Sequence, residues 1–102
     1  DVYKRQIFKQ LNKIDPTNIR YIIALGELLK VKKDFSGAMN LYLKAFSLEP
    51  GRYELLDNAG RFALQLDDYN KSKSIYKQLS ETVPNEERYL LIYIDLLSKS
   101  KS

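Results

Sequence analysis

The sequence predicts an all-α fold, a solenoid of antiparallel helix pairs with about six helices. Three observations predict it. Pro16, Pro50 and Pro84 stand at two successive intervals of 34 residues, and a fixed period in that range is the mark of a repeat array. Laying 19–52 over 53–86 puts Gly26 on Gly60, Asp34 on Asp68, Tyr42 on Tyr76 and Pro50 on Pro84, with Phe35 on Tyr69 and Ala38 on Ser72. Within each unit, apolar residues recur at helical spacing. No period-2 run and no Asn-Gly or Asp-Gly turn argues for strands.

The first element, a helix over 2–14, is read by extending the frame backwards: Phe8 takes the place of Tyr42, Leu11 that of Ala45, and Pro16 closes the partial unit. Ile19, Ile22, Ile23, Leu25, Leu28 and Leu29 build the next, over 19–32, and Asn18 can cap it. After the break at Lys33-Asp34, Ala38, Leu41, Tyr42, Ala45 and Phe46 predict a helix over 36–49. Ser36, and Asn70 in the next unit, are the expected caps of the second helices. Pro50 and Pro84 end them, because proline lacks the N–H and clashes with the preceding turn. The frame then gives helices over 53–66, 70–82 and 86–98. In the last, Tyr89, Leu90, Leu91, Ile92, Tyr93, Ile94, Leu96 and Leu97 are interrupted only by Asp95. The expected division is a half unit (1–18), two full units (19–52 and 53–86) and another half (87–102), a slice of a longer array.

Composition narrows the chemistry. The chain of 102 residues has 44% hydrophobic and 29% charged residues, no Cys and no His. Disulfides, cysteine or histidine metal sites and Ser-His or Cys-His catalysis are thereby excluded. The adjacent acidic pairs, Asp67-Asp68 and Glu86-Glu87, fall at turns, where helix starts explain them. The expectation is a chain that is not an enzyme and needs no cofactor. The net charge of +4, from 17 basic and 13 acidic residues, is mild, and the lysines are spread as solvated helix faces rather than clustered. The chain opens at Asp1 with no visible leader, which leaves the compartment unassigned, with the cytoplasm as the default. The apolar run 89–94 is far shorter than the roughly 20 residues a membrane span needs.

A helix–turn–helix repeat with this residue order resembles the tetratricopeptide repeat family. In the first full unit Leu25-Gly26 matches the family's Leu-Gly pair, Leu29 its large first-helix position, Ala38 and Ala45 its small second-helix positions, Tyr42 its aromatic and Pro50 its terminal proline. The second unit is weaker, with Gly60, Tyr76 and Pro84 matching, Tyr69 fitting the aromatic after the turn, and Ala59, Ser72 and Leu79 departing. The resemblance implies a right-handed superhelix and a non-catalytic scaffold for protein–protein interaction. It also implies that the first helices line a concave groove for a peptide or protein segment. The partner-contacting positions are then Arg20, Ile23, Glu27, Lys30, Asp57, Asn58, Arg61, Gln65, Arg88, Leu91 and Asp95, flanked by Ala24, Val31, Glu54, Leu64, Ile92, Ser98 and Lys99. Arginine offers a planar fork for carboxylates and carbonyls; Asn58 offers a donor and an acceptor. Glu27, Asp57 and Asp95 could instead neutralise the basic residues within the chain.

Chaperone-binding members of the family hold a carboxylate with Lys and Asn, then Asn, then Lys and Arg. Ile23, Glu27, Asn58, Arg88 and Ile92 fall on those places. Asn58 fits and Arg88 is a basic replacement, but Glu27 would repel a carboxylate, so tight capture of an acidic chaperone C-terminus is not expected. A second reading is an RNA-binding helical-repeat module of pentatricopeptide type; the 34-residue period, the Gly26 and Ala38 pattern and the acids in the groove count against it. The last helix, apolar nearly all round, is expected either to be covered by a following helix or to use Tyr89, Leu90, Tyr93, Ile94 and Leu97 as an edge contact, for self-association or a hydrophobic partner.

Overall fold

A computed structural model describes residues 2–100, so Asp1 and residues 101–102, the outermost ends of the two half units, lie outside it. Its elements are α1 (Val2–Ile14), α2 (Ile19–Val31), α3 (Phe35–Leu48), α4 (Tyr53–Gln65), α5 (Tyr69–Thr82) and α6 (Glu87–Ser100). The all-α reading stands, and each predicted helix is present with ends displaced by no more than two residues. Among the described residues each helix packs on its chain neighbours alone. This gives a drawn-out shape of 43 × 27 × 16 Å with a radius of gyration of 14.6 Å, above the roughly 13 Å of a rounded 100-residue domain.

The turns inside the two full units are built the same way. Lys33 and Asp67 adopt left-handed backbone, φ 63° and 57°. The amide of Asp34 donates to Leu29 O at 2.8 Å and that of Lys33 to Lys30 O at 2.9 Å. In the second unit Asp68 donates to Ala63 O at 2.9 Å and Asp67 to Leu64 O at 3.0 Å. This is the two-bond helix ending that usually carries glycine. The same aspartates then start the next helix: Asp34 accepts from Gly37 N at 3.0 Å and Asp68 from Lys71 N at 3.1 Å. The expected caps Ser36 and Asn70 are therefore corrected to Asp34 and Asp68, because α3 and α5 begin one residue earlier. Asn18 caps α2 through Arg20 N at 3.1 Å. Arg52 makes no side-chain cap.

A left-handed lysine carries a steric cost that glycine does not. Lys33→Gly is expected to raise the unfolding free energy by about 0.5–1 kcal/mol, readable in urea as a higher midpoint with an unchanged slope.

The core runs along the stack through Ile22, Ala38, Ala45, Ala59, Ala63, Tyr76 and Leu79, all at most 0% exposed. Small residues let paired helices approach. A Cβ on Gly26 would lie 3.1 Å from the Tyr42 ring, and one on Gly60 only 2.7 Å from the Tyr76 ring. The buried Ser72 hydroxyl donates to Gly60 O at 3.1 Å, which ties α5 to the α4 backbone. Aromatic pairs join each unit to the next: Tyr42 with Phe62 at 5.5 Å, Phe46 with Tyr53 at 6.2 Å and Tyr76 with Tyr89 at 6.2 Å between ring centroids. Tyr89 is thus a core residue, 5% exposed. That corrects its expected place on the open edge: its ring turns inward against α5.

Candidate functional site

Two adjoining cavities lie along the side of the stack formed by α2, α4 and α6. The first, about 370 Å³, is lined by Lys30 of α2, Phe35 at the start of α3, and Glu54, Asp57, Asn58, Arg61, Phe62 and Gln65 of α4. Its apolar wall is the stacked pair Phe35 and Phe62, 6.1 Å between centroids. The second, about 400 Å³, lies between α4 and α6 and is lined by Arg61, Leu64, Tyr76, Leu91, Ile92, Asp95, Leu96 and Lys99. Arg61 borders both.

The helical period explains the first set. Asp57, Asn58, Arg61 and Gln65 follow at one, three and four residues, so one stripe of α4 carries them all. The Asn58 side-chain N–H donates to Glu54 O at 2.8 Å, and its oxygen accepts no bond among the described residues. The Gln65 amide is likewise unengaged there. Two amide side chains with open valences beside an aromatic wall suit a peptide backbone, which offers alternating N–H and C=O groups.

The acidic residues are held within the chain. Asp57, 8% exposed, accepts from Tyr76 Oη at 2.6 Å and pairs with Arg61 Nε at 3.2 Å. The Tyr76 hydroxyl also lies 3.2 Å from Asp57 O. Burial, then the bond to Asp57, pushes the Tyr76 phenol well above its ordinary value. Glu27 accepts from the Tyr42 hydroxyl, whose phenol is raised in the same way, by burial and then by Glu27. Glu27 also lies 3.8 Å from Lys30 Nζ, and Asp95 lies 3.3 Å from Lys99 Nζ. The two units thus use one structural tyrosine each to hold a carboxylate of the first helix, but one helical turn apart in the repeat frame.

The Arg61 side chain remains 57% exposed despite its ion pair, at the junction of the two cavities. The other expected arginines lie elsewhere. Arg88 sits over the Tyr89 ring at 5.3 Å and beside Glu86 at 3.5 Å. Arg20 lines a separate depression with Asn18, Leu48, Glu49 and Arg52, where the start of α2 meets the loop between α3 and α4. Ile23 packs against the core. The structure therefore gathers Lys30, Asp57, Asn58, Arg61 and Gln65 at one cavity and Arg61, Leu91 and Asp95 at the other. Phe35 and Phe62, which supply the aromatic wall, and Tyr76, which anchors Asp57, lie outside the expected groove positions: the repeat frame marks Phe35 and Tyr76 only as packing residues, and Phe62 belongs to no motif. On α6, Leu90 and Ile94 are 48% and 52% exposed, whereas Tyr93 and Leu97 are partly covered. Among the described residues no cluster of acidic side chains could hold a metal, and no helix is long and apolar enough to cross a membrane.

The tetratricopeptide repeat model matches residues 53–84, the unit with the fewer family identities. Among solved structures the chain is similar to the Yersinia enterocolitica type III secretion translocator chaperone SycD, with TM-score 0.78 and 15% identity over 96% of this chain and 72% of that one. It is similar to PcrH, solved in complex with the chaperone binding region of PopD, with TM-score 0.74 and 19% identity over 94% and 77% of the two chains. It is also similar to pilF of Pseudomonas aeruginosa, with TM-score 0.69 and 24% identity over 92% of this chain and 43% of that one. At these identities the likeness is one of fold. No curated protein is similar to the chain in sequence.

Proposed function

We propose that this chain, in which residues 53–84 match the tetratricopeptide repeat model, is a protein-interaction module that holds an extended segment of a partner protein along α2, α4 and α6. The observation that carries this reading is the pair of adjoining cavities joined at Arg61. They differ in chemistry. The first presents the Asn58 and Gln65 amides beside Phe35 and Phe62. The second is walled mainly by Leu64, Leu91, Ile92 and Leu96. A segment lying across both would give its backbone to the amides and an apolar side chain to the α4–α6 cavity. Arg61 would take a carbonyl or carboxylate between them. PcrH, of the same fold, is solved with a segment of PopD, which supports a partner of this kind. The mixed signs of the lining residues favour a peptide over an RNA strand, whose phosphates would meet Asp57, Glu54 and Asp95.

The test uses peptides of about ten residues selected from a random displayed library against the chain. Leu91 is 57% exposed, so Leu91→Lys is expected to leave folding intact while weakening selected peptides by at least about tenfold, the order set by losing one buried apolar contact. Asn58→Ala is expected to weaken them several-fold through a lost hydrogen bond, and Lys77→Ala on α5 to change nothing. Equal affinity in all three variants removes the groove from the account.

A further inference from the structure

Six charged side chains line the two cavities, three of each sign: Lys30, Arg61 and Lys99 against Glu54, Asp57 and Asp95. Each has an opposite charge beside it within the chain. Lys30 lies 3.8 Å from Glu27, Glu54 3.1 Å from Arg52, Asp57 3.2 Å from Arg61 and Asp95 3.3 Å from Lys99. The lining therefore carries no net charge, although the chain as a whole carries +4.

The pairs are not equal. In three of them both side chains are between 44% and 64% exposed. Such pairs are weak and can open for a charge brought by a partner. The pair where the cavities meet cannot. The Asp57 side chain is 12% exposed and accepts from the buried Tyr76 hydroxyl at 2.6 Å. It cannot swing away without leaving that hydroxyl unpaired in the core. Arg61, at 57% exposure, thus lines both cavities with its charge already cancelled from the buried side.

That decides which ligand oxygen Arg61 takes. A partner carboxylate would set a second acid on one guanidinium, with Glu54 lining the same cavity, and would give up its hydration for little Coulomb gain. A partner cation would meet Arg61 itself, while Asp57 is nearly buried. A neutral amide carbonyl gives up less water and still finds a donor. We propose that the segment held along α4 is uncharged where it crosses Arg61, and that Asp57, the buried counter-ion, sets this specificity. The proposal rests on the groove reading and adds to it the charge class of the partner.

Peptides selected on the parent chain from the displayed library are expected to show no excess of Asp or Glu over the library. Their affinity is expected to change by less than about twofold between roughly 0.05 M and 0.5 M NaCl. Asp57→Asn keeps an oxygen that can accept from Tyr76 and releases the Arg61 charge. Glutamate is then placed at each peptide position in turn. On the parent chain it is expected to tighten binding at none. On Asp57→Asn, checked for the helical circular dichroism of the parent, it is expected to tighten binding by about fivefold at one position. That gain is expected to vanish in about 0.5 M NaCl. Parent-selected peptides enriched in Asp or Glu, a parent affinity that falls about tenfold with salt, or a folded Asp57→Asn chain that gains nothing from glutamate would each overturn the proposal. If Asp57→Asn does not fold, the two parent measurements decide. Leu91→Lys separates the readings. If it weakens the peptides while one of those contrary results holds, the groove stands and its charge selection fails; if it changes nothing, both fail.

Discussion

Tyr76→Ala is expected to cost about 3–5 kcal/mol, enough to unfold much of a short array at room temperature. Tyr76 is 0% exposed and joins three elements. Its ring lies against Gly60 of α4, packs on Tyr89 of α6 at 6.2 Å between centroids, and its hydroxyl donates to Asp57 Oδ1 at 2.6 Å. Removal leaves a cavity between two repeats and strips a nearly buried carboxylate of one of its two partners. Tyr76→Phe keeps the ring and isolates the hydrogen bond, at an expected cost of about 1–2 kcal/mol, as for a bond to a charged acceptor. The phenol also sets a pH limit. Its proton is held more tightly in the folded chain than in the unfolded one. This contribution is therefore complete below the unfolded value of 10.0 and is lost as pH rises above it, where the unfolded state ionises first. Tyr42 acts in the same direction. Urea unfolding at pH 8 and pH 11 is expected to show a larger alkaline loss for the parent than for Tyr76→Phe.

Gly60→Ala is expected to destabilise by about 1–2 kcal/mol, against the usual gain of about 1 kcal/mol for alanine in a helix interior. The new methyl would meet Tyr76 ring atoms at 2.7 and 3.0 Å and Ile75 Cγ2 at 3.1 Å. The ring cannot retreat without breaking its bond to Asp57 and its contact with Tyr89. Gly26→Ala meets the Tyr42 ring at 3.1 and 3.3 Å, a tightness that a few tenths of an ångström relieve. Its expected effect is within about 0.5 kcal/mol of zero, as crowding and propensity offset. Thermal or urea unfolding of the two variants side by side reads the difference. A Gly60→Ala variant more stable than its parent would mean that α4 and α5 do not approach as described.

The same residues show how far sequence could carry the reading. Proline and glycine have backbone jobs that leave a periodic trace, so Pro50, Pro84, Gly26 and Gly60 gave the frame and the helices fell within it. The turns leave a weaker trace. At Lys33 and Asp67 the left-handed position lacks its usual glycine, so the caps shifted by two residues to Asp34 and Asp68. Helical spacing gathered Asp57, Asn58, Arg61 and Gln65, because one helix carries them on one stripe. It could not place Arg20 and Arg88, whose long side chains follow local surroundings: the depression beside the α3–α4 loop for Arg20, the Tyr89 ring and Glu86 for Arg88. It did not separate Tyr89 from its exposed neighbours either, since α6 is apolar on several faces and only tertiary packing chooses which one turns inward.

Residue-by-residue NMR of the chain titrated with a library-selected peptide tests the groove most directly. Amide shifts are expected to concentrate on α4 and α6 around Asn58, Arg61, Gln65, Leu91 and Asp95, with the Asn58 and Gln65 side-chain amides among the most affected. Shifts confined to α3 and α5, around Lys44 and Lys77, would contradict it.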